Sequence, residues 1–275
     1  MSSQTNDAPV IEMAGVEKAF GRNRVLRGVD LTIRHGEIFT LLGGSGTGKS
    51  VMLKHMVGLL RPDAGTIRIE GRDTRTFDER DWVETRKQIA YVFQGAALFD
   101  SLSVLENVAY GLREHLRWSE AEIRARVAEC LGAVGLEGIE ERMPAELSGG
   151  LRKRVGVARA IALSPEVILY DEPTTGLDPA NSRRIGQLIG SLRQRLDVTS
   201  VIVTHDLDLC FAISDRVALL GAGRLLAVGT AEEIQASSVP EVREFLSGDL
   251  DAEKDLWRHH DEDTSSPDEG RAIER

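Results

Sequence analysis

The stretch Ile38–Met52 reads I-F-T-L-L-G-G-S-G-T-G-K-S-V-M, and it decides the fold of the chain. Its first part, Ile38–Leu42, is a short apolar run that is typical of a strand buried on both faces. The run leads into a complete phosphate-binding loop made of Gly43, Gly44, Ser45, Gly46, Thr47, Gly48, Lys49 and Ser50. A buried strand, this loop and a helix from about Lys49 together predict an α/β fold.

The composition of this loop indicates a nucleoside triphosphate and Mg²⁺. Glycines let successive backbone N–H groups point at phosphate oxygens, and the start of the following helix adds partial positive charge. Lys49 is expected to reach the β- and γ-phosphates, while the Ser50 hydroxyl is expected to hold Mg²⁺. The alternative is a glycine-rich turn before a helix, but every fixed position of the phosphate loop is filled.

A second apolar strand, predicted from Val167, ends in two neighbouring carboxylates. Asp171 is expected to hold Mg²⁺ opposite Ser50, and Glu172 is expected to polarise or deprotonate the water that attacks the γ-phosphate. Paired acids at the end of a strand are in general often a solvated terminus. The phosphate loop upstream favours the catalytic interpretation here.

Two more apolar segments are followed by polar side chains. Ile89–Phe93 is predicted as a buried strand and precedes Gln94, and Val198–Thr204 is rich in β-branched residues and precedes His205. Ligands of α/β folds bind at the carboxyl edge of the sheet. Gln94 is therefore a candidate for holding Mg²⁺ or the attacking water, and His205 for a hydrogen bond to the γ-phosphate. A surface-loop glutamine and a structural histidine are the alternatives.

Phe20 is the candidate for stacking on the adenine. It lies between two predicted strands, Val10–Ala19 and Val25–Ile33. The phosphate loop binds phosphates but does not recognise the base, and an aromatic face near the loop can supply stacking for the adenine. Packing in the core is the alternative for this side chain.

Between Leu98 and Ser164 the apolar period becomes helical, which predicts an inserted helical layer. The predicted helices are Val104–Leu112, Ser119–Val134 and Leu151–Leu163, and Ser119 with Glu122 is predicted to form a capping box at the start of the second. Just before the third helix, Ser148, Gly149 and Gly150 offer a hydroxyl and free N–H groups, which suit a second anion site. A simple N-cap and tight turn is the alternative. In a chain with one phosphate loop, a second anion site has no obvious ligand. A second copy of the chain could supply that ligand, namely the nucleotide on its own phosphate loop.

The length, charge and cysteine content of the chain narrow the classes of protein to which it can belong. The chain has 275 residues, 41% of them apolar, so it can bury a sizeable core. Of the net charge of −10, the segment Asp249–Arg275 carries −6, from ten acidic and four basic residues. The sequence contains no basic stripe of the kind that binds nucleic acid, so nucleic acid is not predicted as a partner. Cys130 and Cys210 are far apart without metal-ligand spacing, which predicts two buried thiols in a reducing compartment.

No apolar run approaches the roughly 18 residues of a membrane span, and residues 1–9 lack the apolar block of a signal peptide. These patterns predict a cytoplasmic protein whose contact with a membrane is made through a partner.

Six motifs in this order resemble the ATP-binding cassette (ABC) family. They are the loop Gly43–Ser50, Gln94, the signature Leu147–Gly150, the strand Val167–Glu172, the D-loop Gly176–Asp178 and His205. The resemblance implies a RecA-like core with an N-terminal antiparallel β subdomain and an inserted α-helical subdomain. It also implies a head-to-tail dimer in which the signature of one copy closes over ATP held by Lys49 of the other.

The domain organisation follows from this resemblance. Residues 1–9 are an N-terminal tail, 10–232 the ATPase domain with its helical subdomain at about 98–164, and 233–248 a helical extension. Residues 249–275 form an acidic tail that is expected to be disordered or to dock on a partner through Trp257.

A narrower resemblance follows from the signature, in which Leu151 occupies the usual glutamine position. With the segments 94–102 and 107–115, it resembles the ATPases of Mla and Mce lipid-transport systems. This implies a permease dimer, an MCE-domain protein, phospholipid as cargo, and a place on the cytoplasmic face of the bacterial inner membrane. Residues 95–117 would then contact the permease. An ATPase of another importer, for example for amino acids, and a soluble cassette ATPase are the alternatives.

Overall fold

The computed structural model describes residues 9–248. Within that range the strands are β1 Pro9–Phe20, β2 Asn23–Arg34, β3 Ile38–Leu42, β4 Ala64–Ile69, β5 Arg72–Asp73, β6 Ile89–Val92, β7 Val167–Asp171, β8 Thr199–Thr204, β9 Arg216–Gly221 and β10 Arg224–Thr230. The helices are α1 Lys49–Met56, α2 Glu79–Gln88, α3 Val104–His115, α4 Glu120–Ala133, α5 Gly149–Ile161, α6 Pro179–Leu196, α7 Leu207–Ile213, α8 Ala231–Gln235 and α9 Pro240–Ser247.

A six-stranded sheet forms the centre of the molecule, in the order β10-β9-β3-β8-β7-β6. Strands β9, β3, β8, β7 and β6 run parallel, and β10 pairs antiparallel with β9 at one edge. Every residue of β3, β7 and β8 is buried, because helices or the second sheet cover both faces. The three predictions of buried strands are confirmed: two were made from apolar runs, at β3 and β7, and one from the β-branched residues of β8.

The prediction of a fourth buried strand at 89–93 is wrong in its burial and its end. Strand β6 stops at Val92, Tyr91 is only half-buried, and Phe93 is exposed. The reason is position, since β6 is the last strand of the sheet and pairs only with β7.

A second, antiparallel sheet has the order β2-β1-β4-β5. Its apolar side chains share one core with α1 and with the central sheet, as Ile11, Ile33, Phe39 and Met52 illustrate. The sheet therefore packs over the helix that follows the phosphate loop.

The inserted helical layer consists of α3, α4 and α5, whose apolar faces share a core with β7 and α6. The predicted capping box of Ser119 and Glu122 is present at the start of α4, and Ser103 with Glu106 forms another at α3. Both cysteines are buried, as predicted.

The helices α8 and α9 complete the described part of the chain. Ala231, Ile234 and Val242 pack against apolar residues of β9. No helix within residues 9–248 is long and apolar enough to cross a membrane. The predicted acidic tail and its Trp257 lie outside the described residues.

Candidate functional site

The candidate site lies at the carboxyl edge of the central sheet. Leu42 at the end of β3 pairs with Thr204 of β8, and Val203 of β8 pairs with Asp171 of β7. The loops that follow these three strands therefore start side by side. Consequently, five residues predicted as candidates from distant parts of the sequence meet here. Ser50 contacts Asp171, and both Lys49 and His205 contact Glu172.

Asp171 is held between two hydroxyl groups. Ser50 Oγ donates to its Oδ1 at 2.7 Å, and the Tyr91 hydroxyl donates to its Oδ2 at 2.7 Å. Asp171 is 8% exposed, and these two hydrogen bonds orient its oxygens at the base of the site. Burial, followed by the adjacent Asp171 carboxylate, raises the pKa of Tyr91 far above its usual range, so its hydroxyl remains a proton donor.

Lys49 lies buried at the start of α1. Its Nζ donates to the carbonyl oxygens of Gly43 and Gly44, both at 2.8 Å, and lies 3.3 Å from Glu172 Oε1. Burial lowers the pKa of Lys49, while the carboxylates of Glu172 and Asp171 act in the opposite direction. The ammonium group is thus positioned by the loop and by the two acids.

Glu172 is the centre of the contacts. Its Oε2 lies 2.9 Å from His205 Nδ1 and accepts a hydrogen bond from Thr175 Oγ1 at 3.2 Å. Its backbone φ angle is 48°, in the left-handed region, which is a strained conformation for a residue other than glycine. Lys153 Nζ of α5 donates to the Glu172 carbonyl oxygen at 3.2 Å, which helps to hold this conformation.

Other predicted residues lie apart from this cluster. Gln94 is exposed two residues beyond β6, and it makes no hydrogen bond within residues 9–248. Phe20 is 48% exposed at the end of β1, with Lys18 Nζ 5.5 Å from its ring centroid. Asp178 caps α6, accepting hydrogen bonds from the backbone N–H groups of Ala180 and Asn181.

The signature residues lie at the surface, at the start of α5. Ser148 is exposed and accepts a hydrogen bond from Leu151 N at 3.4 Å, so it is an N-cap as well as a candidate ligand. Gly149 is exposed and Gly150 is half-buried. Their surface position leaves them accessible to another molecule.

Three residues of the site were missed by the sequence analysis: Tyr91, Lys153 and Thr175. Thr175 lies three residues after Glu172, a spacing that suits a local hydrogen bond. For Tyr91, the available signal was a phenol in an otherwise apolar strand. Lys153 follows the signature motif on the same helix, but nothing in its spacing points to Glu172.

Comparison with known proteins identifies the family. The family model described as ABC transporter matches residues 26–175, which contain the phosphate loop, the signature and both acids of the site. The chain belongs to the ABC transporter family. Its fold is therefore the P-loop ABC ATPase fold, with the antiparallel β subdomain and the inserted helices described above, and the domain binds and hydrolyses ATP.

Two curated relatives of this ABC chain carry different names. The probable ribonucleotide transport ATP-binding protein mkl of Mycobacterium tuberculosis is 44% identical over 238 residues, which cover 86% of this chain and 66% of mkl. Protein TRIGALACTOSYLDIACYLGLYCEROL 3, chloroplastic, of Arabidopsis thaliana is 41% identical over 263 residues, covering 90% of this chain and 76% of the plant protein. The chain thus spans about two thirds of the length of mkl.

A solved structure agrees with the ABC fold. The ATP-binding cassette MJ0796, determined as a dimer in a post-hydrolysis state with ADP and phosphate, is 34% identical to this chain with a TM-score of 0.74. The match covers 80% of this chain and 98% of MJ0796.

Proposed function

We propose that this ABC chain hydrolyses ATP with Mg²⁺ at the cluster around Asp171 and Glu172 and that it powers lipid transport. The observation that carries the ATPase part is the arrangement of one buried ammonium group, two buried carboxylates, a hydroxyl and a histidine at one sheet edge. Lys49 supplies the positive charge for the β- and γ-phosphates, and the backbone of residues 43–48 supplies N–H donors.

The donor set suits Mg²⁺. Ser50 Oγ and Asp171 Oδ1 are hard oxygen donors only 2.7 Å apart, and Mg²⁺ in nucleotide sites typically takes one or two protein oxygens beside phosphate oxygens. When bound, Mg²⁺ neutralises charge on the phosphates. Ser50 and Asp171 would hold it, and Gln94, two residues beyond the neighbouring strand β6, is a third candidate ligand.

Glu172 is proposed as the general base. It is buried beside Lys49 and His205, and a carboxylate in this position can accept a proton from the attacking water. His205 is 59% exposed at its side chain, so one face of its ring is accessible to the γ-phosphate. Phe20 is proposed to stack on the base, and Asp178 to lie where two copies meet.

The site is proposed to be completed by a second copy. Ser148, Gly149 and Gly150 are accessible at the start of α5, where a helix N-terminus favours anions. They would close over ATP held by Lys49 of the other copy, and ATP binding and hydrolysis would then close and reopen the dimer.

Phospholipid or a related lipid is the proposed cargo, moved between bacterial membranes with a permease dimer and an MCE-domain protein. Two observations support this: the resemblance of segments 94–102 and 107–115 to lipid-transport ATPases, and a plant relative whose name is that of a galactolipid. The chain would then lie on the cytoplasmic face of the inner membrane. The predicted partner surface also contains an exposed aromatic pair, Phe99 and Tyr110, with centroids 4.9 Å apart and exposures of 43% and 50%.

The second candidate is an ATPase for a different solute. The name of mkl specifies ribonucleotide transport, which favours a transporter with a non-lipid cargo. The ATPase site itself is common to both candidates, so only the partners and the cargo discriminate between them.

The experiment that tests the cargo is affinity purification from the native cell in mild detergent, with mass spectrometry of co-purifying proteins and lipids. Co-purification of a permease and an MCE-domain protein with phospholipid is the expected result. A permease with a solute-binding protein would contradict the lipid proposal, and soluble partners alone would contradict the transporter proposal.

A matched variant tests the partner surface in the same experiment. Replacing Phe99 and Tyr110 by serine should abolish co-purification of the permease while ATP binding stays unchanged, because both rings are exposed. Replacing the equally exposed Val228 of β10 by serine is the control and should leave the permease bound.

A further inference from the structure

Tyr91 links the edge strand of the central sheet to the acid at its neighbour's end. Strand β6 pairs in parallel with β7 so that Tyr91 lies opposite Leu169, two residues before Asp171. The Tyr91 side chain spans these two residues along β7, and its hydroxyl donates to Asp171 Oδ2 at 2.7 Å. The ring packs on Phe93, with centroids 4.4 Å apart, which restricts its rotation.

The two oxygens of Asp171 therefore have separate partners. Oδ2 accepts from Tyr91, whereas Oδ1 accepts from Ser50 Oγ at 2.7 Å. A carboxylate with one oxygen free of such a bond can rotate about its Cβ–Cγ bond. With Tyr91 in place, Oδ1 stays directed at Ser50, the other proposed cation ligand.

We propose that Tyr91 is a positioning residue for the divalent cation of the ATPase site, acting through Asp171. This inference rests on the proposed function, in which Ser50 and Asp171 hold Mg²⁺. Hydrogen bonds that orient a metal-binding carboxylate commonly change metal affinity or activity by about 10- to 100-fold when they are removed. Tyr91 touches neither nucleotide nor cation in this scheme, so metal-free nucleotide binding does not depend on it.

The test uses the full chain with Tyr91→Phe, which removes only the hydroxyl and keeps the contact with Phe93. Mn²⁺ binding is measured by electron paramagnetic resonance with a non-hydrolysable ATP analogue, and binding of a fluorescent ATP analogue is measured in EDTA. We expect Mn²⁺ affinity to fall about tenfold, with unchanged metal-free nucleotide affinity and unfolding temperature. Thr76→Val, which likewise removes one hydroxyl, from a side chain that donates to the Asp73 carbonyl oxygen and belongs to no proposed binding surface, is the control.

A double-mutant cycle separates positioning from a merely structural effect. If Tyr91 acts through Asp171, adding Tyr91→Phe to Asp171→Ala produces no further loss of Mn²⁺ affinity. An additive further loss, unchanged Mn²⁺ affinity in Tyr91→Phe, or an equal loss of metal-free binding would each overturn the inference.

The same measurements distinguish failure of the inference from failure of the proposed function. A wild-type chain that binds the ATP analogue without any dependence on Mn²⁺ would contradict the proposed cation site, and the role of Tyr91 with it. A wild-type chain with normal cation dependence and an unaffected Tyr91→Phe variant would contradict the role of Tyr91 alone.

Discussion

Glu172 combines features that are costly for stability and useful for catalysis. It is 9% exposed, has a left-handed backbone, and contacts Lys49 and His205 through its two carboxylate oxygens. Strained residues with buried charge persist where the surrounding contacts fix them, and they concentrate at functional sites. The geometry of this one residue is therefore a stronger indication of chemistry than the sequence pattern of two adjacent acids.

The general-base assignment predicts the behaviour of Glu172→Gln. The amide keeps the size of the side chain but accepts no proton, so ATP hydrolysis should fall by about 10²- to 10⁴-fold while ATP still binds. Steady-state phosphate release and equilibrium nucleotide binding measure the two effects. Glu84→Gln, at a side chain of α2 that is 68% exposed, is the control. Hydrolysis within a few-fold of wild type in Glu172→Gln would show that another group is the base.

The two cysteines lead to a prediction on reactivity. Burial raises the pKa of Cys130 to about 11 and that of Cys210 to about 12, so both thiols stay protonated at neutral pH. Since the thiolate is the nucleophile, a thiol reagent at pH 8 should label the native chain on the order of a hundredfold more slowly than free cysteine. Labelling in denaturant should be fast and reach both thiols. Rapid labelling of one thiol in the native chain would contradict the burial.

At the scale of helices and strands, the sequence best predicted those features that a few consecutive residues determine. The apolar runs of β3 and β7 and the β-branched residues of β8 identified buried strands. The capping box of Ser119 and Glu122 placed the start of α4. Both signals are contained within a few consecutive residues. The candidate residues at the ends of β3, β7 and β8 were found for the same reason.

Features that depend on strand order were not predictable from local pattern. Strand β6 is adjacent to β7 although more than 70 residues, among them the whole helical layer, lie between Val92 and Val167. Without that pairing, neither the half-exposed edge position of β6 nor the hydrogen bond from Tyr91 to Asp171 could be inferred. The contact of Lys153 with Glu172 likewise depends on how α5 packs against the sheet.

Two glycines, Gly65 within β4 and Gly71 just after it, separate the effect of backbone conformation from that of close packing. Gly65 has φ 85, and a Cβ there would lie 2.3 Å from the Gly15 carbonyl oxygen of β1. Gly71 has φ 72, but a Cβ there would meet no heavy atom within 4 Å among the described residues. The two sites thus share the left-handed backbone and differ in contact with the neighbouring strand.

We expect Gly71→Ala to reduce the free energy of unfolding by about 1–2 kcal/mol, the cost of a left-handed alanine. Gly65→Ala should cost a further 1–3 kcal/mol, roughly, because β1 and β4 must separate. Urea denaturation of both variants measures the difference. Equal losses would show that the β1–β4 approach is not tight at Gly65.

At the scale of the whole molecule, the proposed ATP site is incomplete in one copy. The residues proposed to act on ATP are grouped at the edge of the central sheet, whereas Ser148 is exposed at the start of α5. The structure of MJ0796 with ADP and phosphate is dimeric. Completion of each site by a second copy remains our proposal for this chain. In a head-to-tail dimer, each site takes Lys49 and Glu172 from one copy and Ser148 from the other.

This arrangement predicts that two inactive variants complement each other. In pure Lys49→Ala or pure Ser148→Arg, both sites of the dimer are defective. In a mixed dimer, one site carries both substitutions and the other carries none, so an equal mixture should recover about a quarter of wild-type ATP hydrolysis if dimers form at random.

Mixing Lys49→Ala with Glu172→Gln is the control, because both residues belong to the same copy's half of each site and every mixed dimer keeps two defective sites. ATPase assays of the mixtures, at concentrations where the wild type is dimeric, measure the recovery. Absence of recovery with Ser148→Arg, or equal recovery in the control, would show that Ser148 does not complete the site of a second copy.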